Sequence, residues 1–280
     1  MKKTIYTKFD KNAISNLPQA SFAGRIIVVL TESEAEKAVD YLLAADILGM
    51  DTETKPSFHR GESNKVALLQ VSTRDTCFLF RLNLIGLCPA VIRLLENTAV
   101  PMIGLSWHDD LRVLHRRGNF TPGRFIELQE LVGTIGIKDL SLQKLYANLF
   151  AQKISKRQRL TNWEAQILND QQKQYAALDA WACIQLYEEI VRLKATADYD
   201  LVVVPEPEQP QPKTKTDEAA ADDKQPKPKR RRKKTATTDT EKIKRNGPSP
   251  RRIAQRKRAK LKALAARQAA ANNITTETKQ

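Results

Sequence analysis

Cysteine is scarce in this 280-residue chain: only Cys77, Cys88 and Cys183, with no C-x-x-C pair. So small and scattered a set excludes a disulfide scaffold and suits a reducing compartment. Long apolar runs are missing too. None approaches the ~20 residues needed to cross a bilayer, so no membrane span is expected. MKKTIYTKFDK opens on two lysines, but no apolar segment follows, and no secretion signal is expected. The three histidines, His59, His108 and His115, are neither clustered nor at zinc-ligand spacing, which leaves them structural or surface roles. Aromatic residues vanish after Tyr199: all 8 Phe, 6 Tyr and 3 Trp lie at or before it. Acid is scarce in the same stretch. Residues 201–280 carry 22 Lys and Arg against 9 Asp and Glu, a net of +13 out of the chain's +15.

That segment has almost nothing bulky to bury and cannot build a core. It holds eight of the 13 prolines and reads as a disordered basic tail over 201–280. KPKRRRKK (227–234), with Arg230, Arg231 and Arg232, forms one basic cluster. The second, 251–270, begins at Arg251 and Arg252 and lacks Gly and Pro, so a basic helix is expected there. Such a charge points to a polyanion, either nucleic acid or an acidic membrane surface, and nucleic acid, with no membrane partner, is expected here. A cytoplasmic location is expected: nucleoid-associated in a bacterium, with a nuclear one open in a eukaryote.

The first 200 residues are nearly balanced, with 25 basic and 23 acidic residues, and can hold a sizeable core. Residues 1–24 read as a loose lead-in. RIIVVL (25–30) is a strand candidate, and Thr31 or Ser33 can cap the helix after it. ILGMDTE (47–53), VALLQVST (66–73), TCFLFRL (76–82) and VPMIGLS (100–106) read as strands, the middle two as antiparallel neighbours. Pro89 opens a helix, 107–117 has helical spacing, and FIELQEL (125–131) fits either type. Helices are expected near 141–149 and 164–194. Strands with interposed helices imply an α/β layer fold with a mixed sheet.

The chemistry concentrates in carboxylates. Asp51 and Glu53 end an apolar strand, and residues i and i+2 of a strand share a face. Like charges held together repel unless a cation sits between them, and hard divalent cations such as Mg2+ or Mn2+ take oxygen ligands. Alone, the pair also fits a solvated strand end. Tyr175 and Asp179 are spaced i,i+4 and share a helix face; a core tyrosine beside an exposed acid would look the same. Asp109 and Asp110 follow the strand 100–106 at the start of a helix, where acids commonly meet the helix dipole.

Taken together and in this order, DTET (51–54) with Leu68-Leu69-Gln70, the Gly104–Leu114 segment, and LTNWEAQILNDQQKQYAALDAWACIQLYEEI (160–190) resemble the three motifs of the DEDD superfamily of 3′–5′ exonucleases. The resemblance covers residues 25–195 and is to the Tyr-containing branch, which includes ribonuclease D and the Werner exonuclease domain. Gln174 stands where the sister branch has His. The resemblance implies a ribonuclease H-like mixed five-stranded sheet flanked by helices, over 25–200. It implies hydrolysis of DNA or RNA from a free 3′ end with two divalent metal ions. Asp51 would bridge both ions, Glu53 and Asp179 would hold the first, and Asp110, with Asp109 as the alternative, would reach the second through water. Tyr175 would orient the attacking water. Glu127 departs from the Asp expected on its strand and is read as structural. Lys153, Lys156, Arg157 and Arg159 precede the third motif and are expected to grip the phosphate backbone. The rival reading is a catalytically silent nucleic-acid-binding module of the same fold.

Overall fold

In the computed structural model, residues 2–57 and 63–205 are described, all within one compact unit spanning Met1–Pro210. His59, the basic clusters, Arg230, Arg231, Arg232, Arg251, Arg252 and the helix expected at 251–270 lie outside the described residues.

The organising element is a six-stranded mixed sheet. Its strands are β2 (Arg25–Val29), β3 (Leu48–Thr54), β4 (Val66–Ser72), β5 (Thr76–Phe80), β6 (Met102–Gly104) and β7 (Phe125–Glu127), in spatial order β2-β5-β4-β3-β6-β7. β3, β4 and β5 form an antiparallel meander, while β2, β6 and β7 add in parallel at the two sides. Six strands replace the five implied by the resemblance. β2 closes one edge beside β5, and the three-residue β7 closes the other. FIELQEL fits two patterns because it is two elements: β7 gives way directly to the short helix α5 (Leu128–Val132).

Every residue of β4 and β5 is buried, because both sheet faces are covered. On one face lie α1 (Glu32–Leu43), the short α2 (Leu82–Ile85), α3 (Pro89–Leu95) and α4 (Trp107–Leu114), with Val39, Leu42, Leu94 and Trp107 in the shared core. Thr31 caps α1 in a reciprocal box with Glu34. On the other face lie α5, α6 (Leu142–Phe150) and the 27-residue α7 (Asp170–Thr196), packed through Leu145, Leu149, Ile184, Leu186 and Ile190. α7 starts at Asp170 and not near 164. Asn169 and Gln172 form a capping box there, and the Gln172 amide also donates to Thr161 and to the Asn162 carbonyl, so 161–169 is held as turns. Trp107, Trp163 and Trp181 all pack against the core.

The lead-in is not loose. β1 (Lys3–Tyr6) pairs in parallel with β8 (Tyr199–Val202), and Asn148 of α6 exchanges two hydrogen bonds with the Tyr6 backbone, at 3.0 and 2.7 Å. Periodicity could not show this, since a strand of four residues needs a partner almost 200 positions away. No helix among the described residues is long and apolar enough to cross a membrane.

Candidate active site

Gly49, Asp51 and Glu53 share one face of β3. A Cβ at Gly49 would lie 2.0 Å from the Ala180 carbonyl oxygen, so α7 rests directly on the β3 backbone. The buried Ala176, Ala177, Ala180 and Ala182 give α7 the slim face this approach needs. Asp179 is thereby carried over the strand end. One carboxylate oxygen from each of Asp51, Glu53 and Asp179 lies within 4.8 Å of the other two. The register of β3 against β4 shifts between Glu53 and Thr54, the kind of irregularity often found beside functional sites.

Asp110 reaches the cluster from α4. That helix follows a left-handed Ser106 (φ 68°), and its first N–H groups are held by Glu127. The Glu127 carboxylate accepts from Ser106 N at 2.9 Å, Trp107 N at 2.7 Å and Gln129 N at 2.9 Å. It thus fixes the starts of both α4 and α5, a structural role that its longer side chain can span. The Thr52 hydroxyl donates to Asp110. Asp109 turns outward into an exposed ion pair with Arg112 at 2.9 Å. Of the two acids left open by the sequence, Asp110 is therefore the one placed beside Asp51 and Glu53.

All four carboxyls hold their protons more tightly than usual, with burial the main cause in each. Glu53 is pushed up to about 10, Asp179 to about 7 and Asp110 to about 6; Asp51 lies well above the ordinary range. Repulsion among the acids adds to the shifts of Asp51 and Glu53. Thr52 opposes the shift at Asp110, Tyr175 and Lys156 oppose it at Asp179, and Arg159 opposes it at Glu53. Burial and the neighbouring acids keep the Tyr175 phenol protonated.

The donor set is all oxygen, and Asp179 Oδ1 is buried with no hydrogen-bond partner. A buried, unpaired carboxylate oxygen is costly, and a hard divalent cation would satisfy it. The residues therefore fit such an ion.

Because these carboxyls are raised in the folded state, the metal-free fold binds more protons than the unfolded chain and loses stability as pH rises. The loss starts in the ordinary carboxyl range and is complete for Asp110 above about 6 and for Asp179 above about 7. The melting temperature of the full chain in EDTA should fall between about pH 5 and 8. Mg2+ or Mn2+ should restore it most at the upper end. A melting temperature indifferent to both pH and metal would contradict this reading of the cluster.

The basic residues divide. Lys156 and Arg159 act electrostatically on Asp179 and Glu53, and Arg157 lines a cleft beside Tyr175. Lys153 instead donates to the Ser15 carbonyl at 2.6 Å, and its backbone bridges Gln19, so it secures the N-terminal segment. His108 is exposed, and His115 stacks on Phe120 with ring centroids 4.3 Å apart. The sequence reading missed Gly49 and Thr52. A glycine two residues before an acidic pair was the available signal for the first; nothing local marks the second.

A mixed sheet whose central strand ends in buried acids, completed by acids from two flanking helices, defines a hydrolase of the nuclease class. The chain belongs to the 3′–5′ exonuclease family, whose family model matches residues 26–193, and through it to the DEDD superfamily, whose members use divalent metals. It is 28% identical over 192 residues to the mouse bifunctional 3′–5′ exonuclease/ATP-dependent helicase WRN, a match covering 65% of this chain and 14% of that protein. It is 30% identical over 204 residues to a 3′–5′ exonuclease of Arabidopsis thaliana, covering 66% of this chain and 70% of that one. Among solved structures, the Aedes aegypti Nibbler EXO domain shares the fold at a TM-score of 0.58 and 19% identity, over 65% of this chain and 95% of that domain.

Proposed function

We propose that this chain removes nucleotides one at a time from the 3′ end of DNA or RNA, using two divalent ions, Mg2+ or Mn2+. The observation that carries the proposal is the convergence of Asp51, Glu53 and Asp179 within 4.8 Å, with Asp110 tied alongside through Thr52. Asp51, Glu53 and Asp179 would hold one ion, with Asp51 shared and Asp110 serving the second. Bound there, the ions supply acidification of water and stabilisation of the charged leaving oxygen.

The protein's own groups do the rest. Burial and crowding raise the proton affinity of the four acids, and a divalent cation would take the place of those protons. Lys156 and Arg159 bring positive charge to the cluster from the loop before α7 and are placed to draw in the phosphate backbone. Tyr175, held protonated, acts as a hydrogen-bonding group that orients the attacking water and not as a strong base. The basic tail adds non-specific affinity by releasing counterions from the strand.

Product analysis on matched DNA and RNA strands tests the reading: nucleoside 5′-monophosphates should accumulate with metal and not in EDTA. A chain that binds both strands and cleaves neither would be the silent binding module instead. Tyr175→Phe keeps the ring and removes the hydroxyl, and should lower kcat by roughly 10²-fold with little change in substrate binding. An unchanged kcat would reduce Tyr175 to a core residue packed against Trp163.

A further inference from the structure

Gln70 is fully buried, and neither end of its side-chain amide has a hydrogen-bond partner among the described residues. It sits in mid-β4, on a strand that is otherwise apolar from Val66 to Val71. β4 is a central strand, and around Gln70 it pairs with β3 on one side and β5 on the other. The ladder therefore already uses the backbone groups within reach on either side. A methionine or leucine would fill the same space without the cost of desolvating a donor and an acceptor. Packing alone does not explain a glutamine here.

Leu69 and Val71 belong to the core on the α1 side of the sheet, and Leu68 and Leu79 to the core on the α7 side. Alternation along β4 puts Gln70 on the α7 side with Leu68. Across the ladder it stands opposite Asp51 on β3 and Leu79 on β5. Residues directly opposite in an antiparallel pair share a face, with Cβ atoms about 4.5–5.5 Å apart. Asp51 is on that same side, since its carboxylate meets that of Asp179 from α7. A glutamine extends two carbons beyond its Cβ, so the amide can reach the carboxylate of its neighbour. That carboxylate also lacks a helper. The Thr52 hydroxyl donates to Asp110 and the Tyr175 hydroxyl to Asp179. Asp51 receives a backbone hydrogen bond from Thr52, and none from a side chain among the described residues. An amide without an acceptor thus stands beside an acid without a side-chain donor.

We propose that Gln70 is the positioning residue of Asp51: its amide N–H donates to one carboxylate oxygen and fixes the side chain in the orientation that cations need. The remaining lone pairs stay open for the ions. Ligating carboxylates are themselves held by hydrogen bonds, and losing such a partner costs about 10–100-fold in metal affinity. Gln70 touches neither ion nor substrate and acts through Asp51 alone. The inference rests on the exonuclease reading, in which Asp51 serves both ions, and names the residue that orients this shared ligand.

The test is Mn2+ binding to the full chain, read as loss of the free-ion signal in electron paramagnetic resonance. Gln70→Met keeps the volume and removes the amide. It should weaken Mn2+ binding by roughly tenfold or more. The melting temperature in EDTA should hold or rise, because an unpaired buried amide has gone. Leu79→Met, on the same face at the other side of Gln70, changes packing without touching the amide and should leave the affinity unchanged. Crystals of the wild-type chain grown with Mn2+ give a readout that depends on no variant: Gln70 Nε2 should lie within ~3.2 Å of an Asp51 oxygen. Unchanged affinity in Gln70→Met, a melting temperature in EDTA that falls along with the affinity, or equal weakening in Leu79→Met would overturn the proposal. So would a Mn2+-bound structure in which a water or another group takes the amide. Failure of the exonuclease reading shows separately, as wild-type protein that binds Mn2+ and cleaves no oligonucleotide.

Discussion

Asp179→Asn should abolish strand degradation and, in EDTA at about pH 8, raise the melting temperature. The substitution keeps shape and removes charge. Asp179 sits at the centre of the cluster, on the helix that closes over β3, with one oxygen buried and unpartnered. Metal-assisted charge stabilisation is worth several kcal/mol, so removing a ligand should cost roughly 10³-fold or more in kcat. The opposite movement of stability separates a site residue from a merely structural one. A buried structural acid would lower the melting temperature when neutralised, because its donors would be stranded. Here the Tyr175 hydroxyl can still donate to the Asn amide oxygen, and neutralising Asp179 relieves repulsion on Asp51 and Glu53. Near-normal activity in Mg2+ or Mn2+, or a lowered melting temperature in EDTA, would contradict the assignment.

Gly49→Ala should damage both fold and activity, although it adds a single methyl group and changes no charge. The new Cβ would meet the Ala180 carbonyl oxygen at 2.0 Å and its carbon at 3.0 Å. These are backbone atoms and cannot rotate away, so α7 must move as a body. Overpacking typically costs ~1–3 kcal/mol, and a backbone obstacle places this case at the upper end. α7 carries both Tyr175 and Asp179, and a displacement of ~1 Å at reacting groups costs on the order of 10²-fold in rate. A melting temperature several degrees lower together with that loss of kcat is the expected result, read by thermal unfolding and by product release. Gly133→Ala is the control, since nothing lies within 4 Å of a Cβ there.

Gly49 also shows where the sequence ran out. The i,i+2 spacing of Asp51 and Glu53 is a local rule and places both side chains on one face. The i,i+4 spacing of Tyr175 and Asp179 is another and places them on one face of a helix. That these two faces meet depends on a contact between residues 49 and 180, which neither period encodes. Asp110 was likewise separable from Asp109 only once α4 was oriented, and that orientation comes from Glu127 reaching across from β7. The strands were legible because the apolar runs are strong and end abruptly. The lead-in was misjudged because its short strand is stabilised by β8 and Asn148, partners remote in sequence. The sequence starts α7 near 164 because Glu164, Ala165 and Gln166 are good helix formers, whereas the Gln172 side chain bonds to Thr161 and Asn162 and the helix begins only at Asp170.

If the acid cluster removes nucleotides from 3′ ends, end-labelled digestion shows it most directly. Matched DNA and RNA strands, labelled at either the 5′ or the 3′ end, are incubated with the full chain in Mg2+ or Mn2+. The 5′-labelled strand should shorten in single-nucleotide steps, and the 3′-labelled strand should lose its label at once as a mononucleotide. EDTA and Asp179→Asn should stop both. Internal cuts, label released first from the 5′ end, or intact strands of both kinds in both metals would contradict the account.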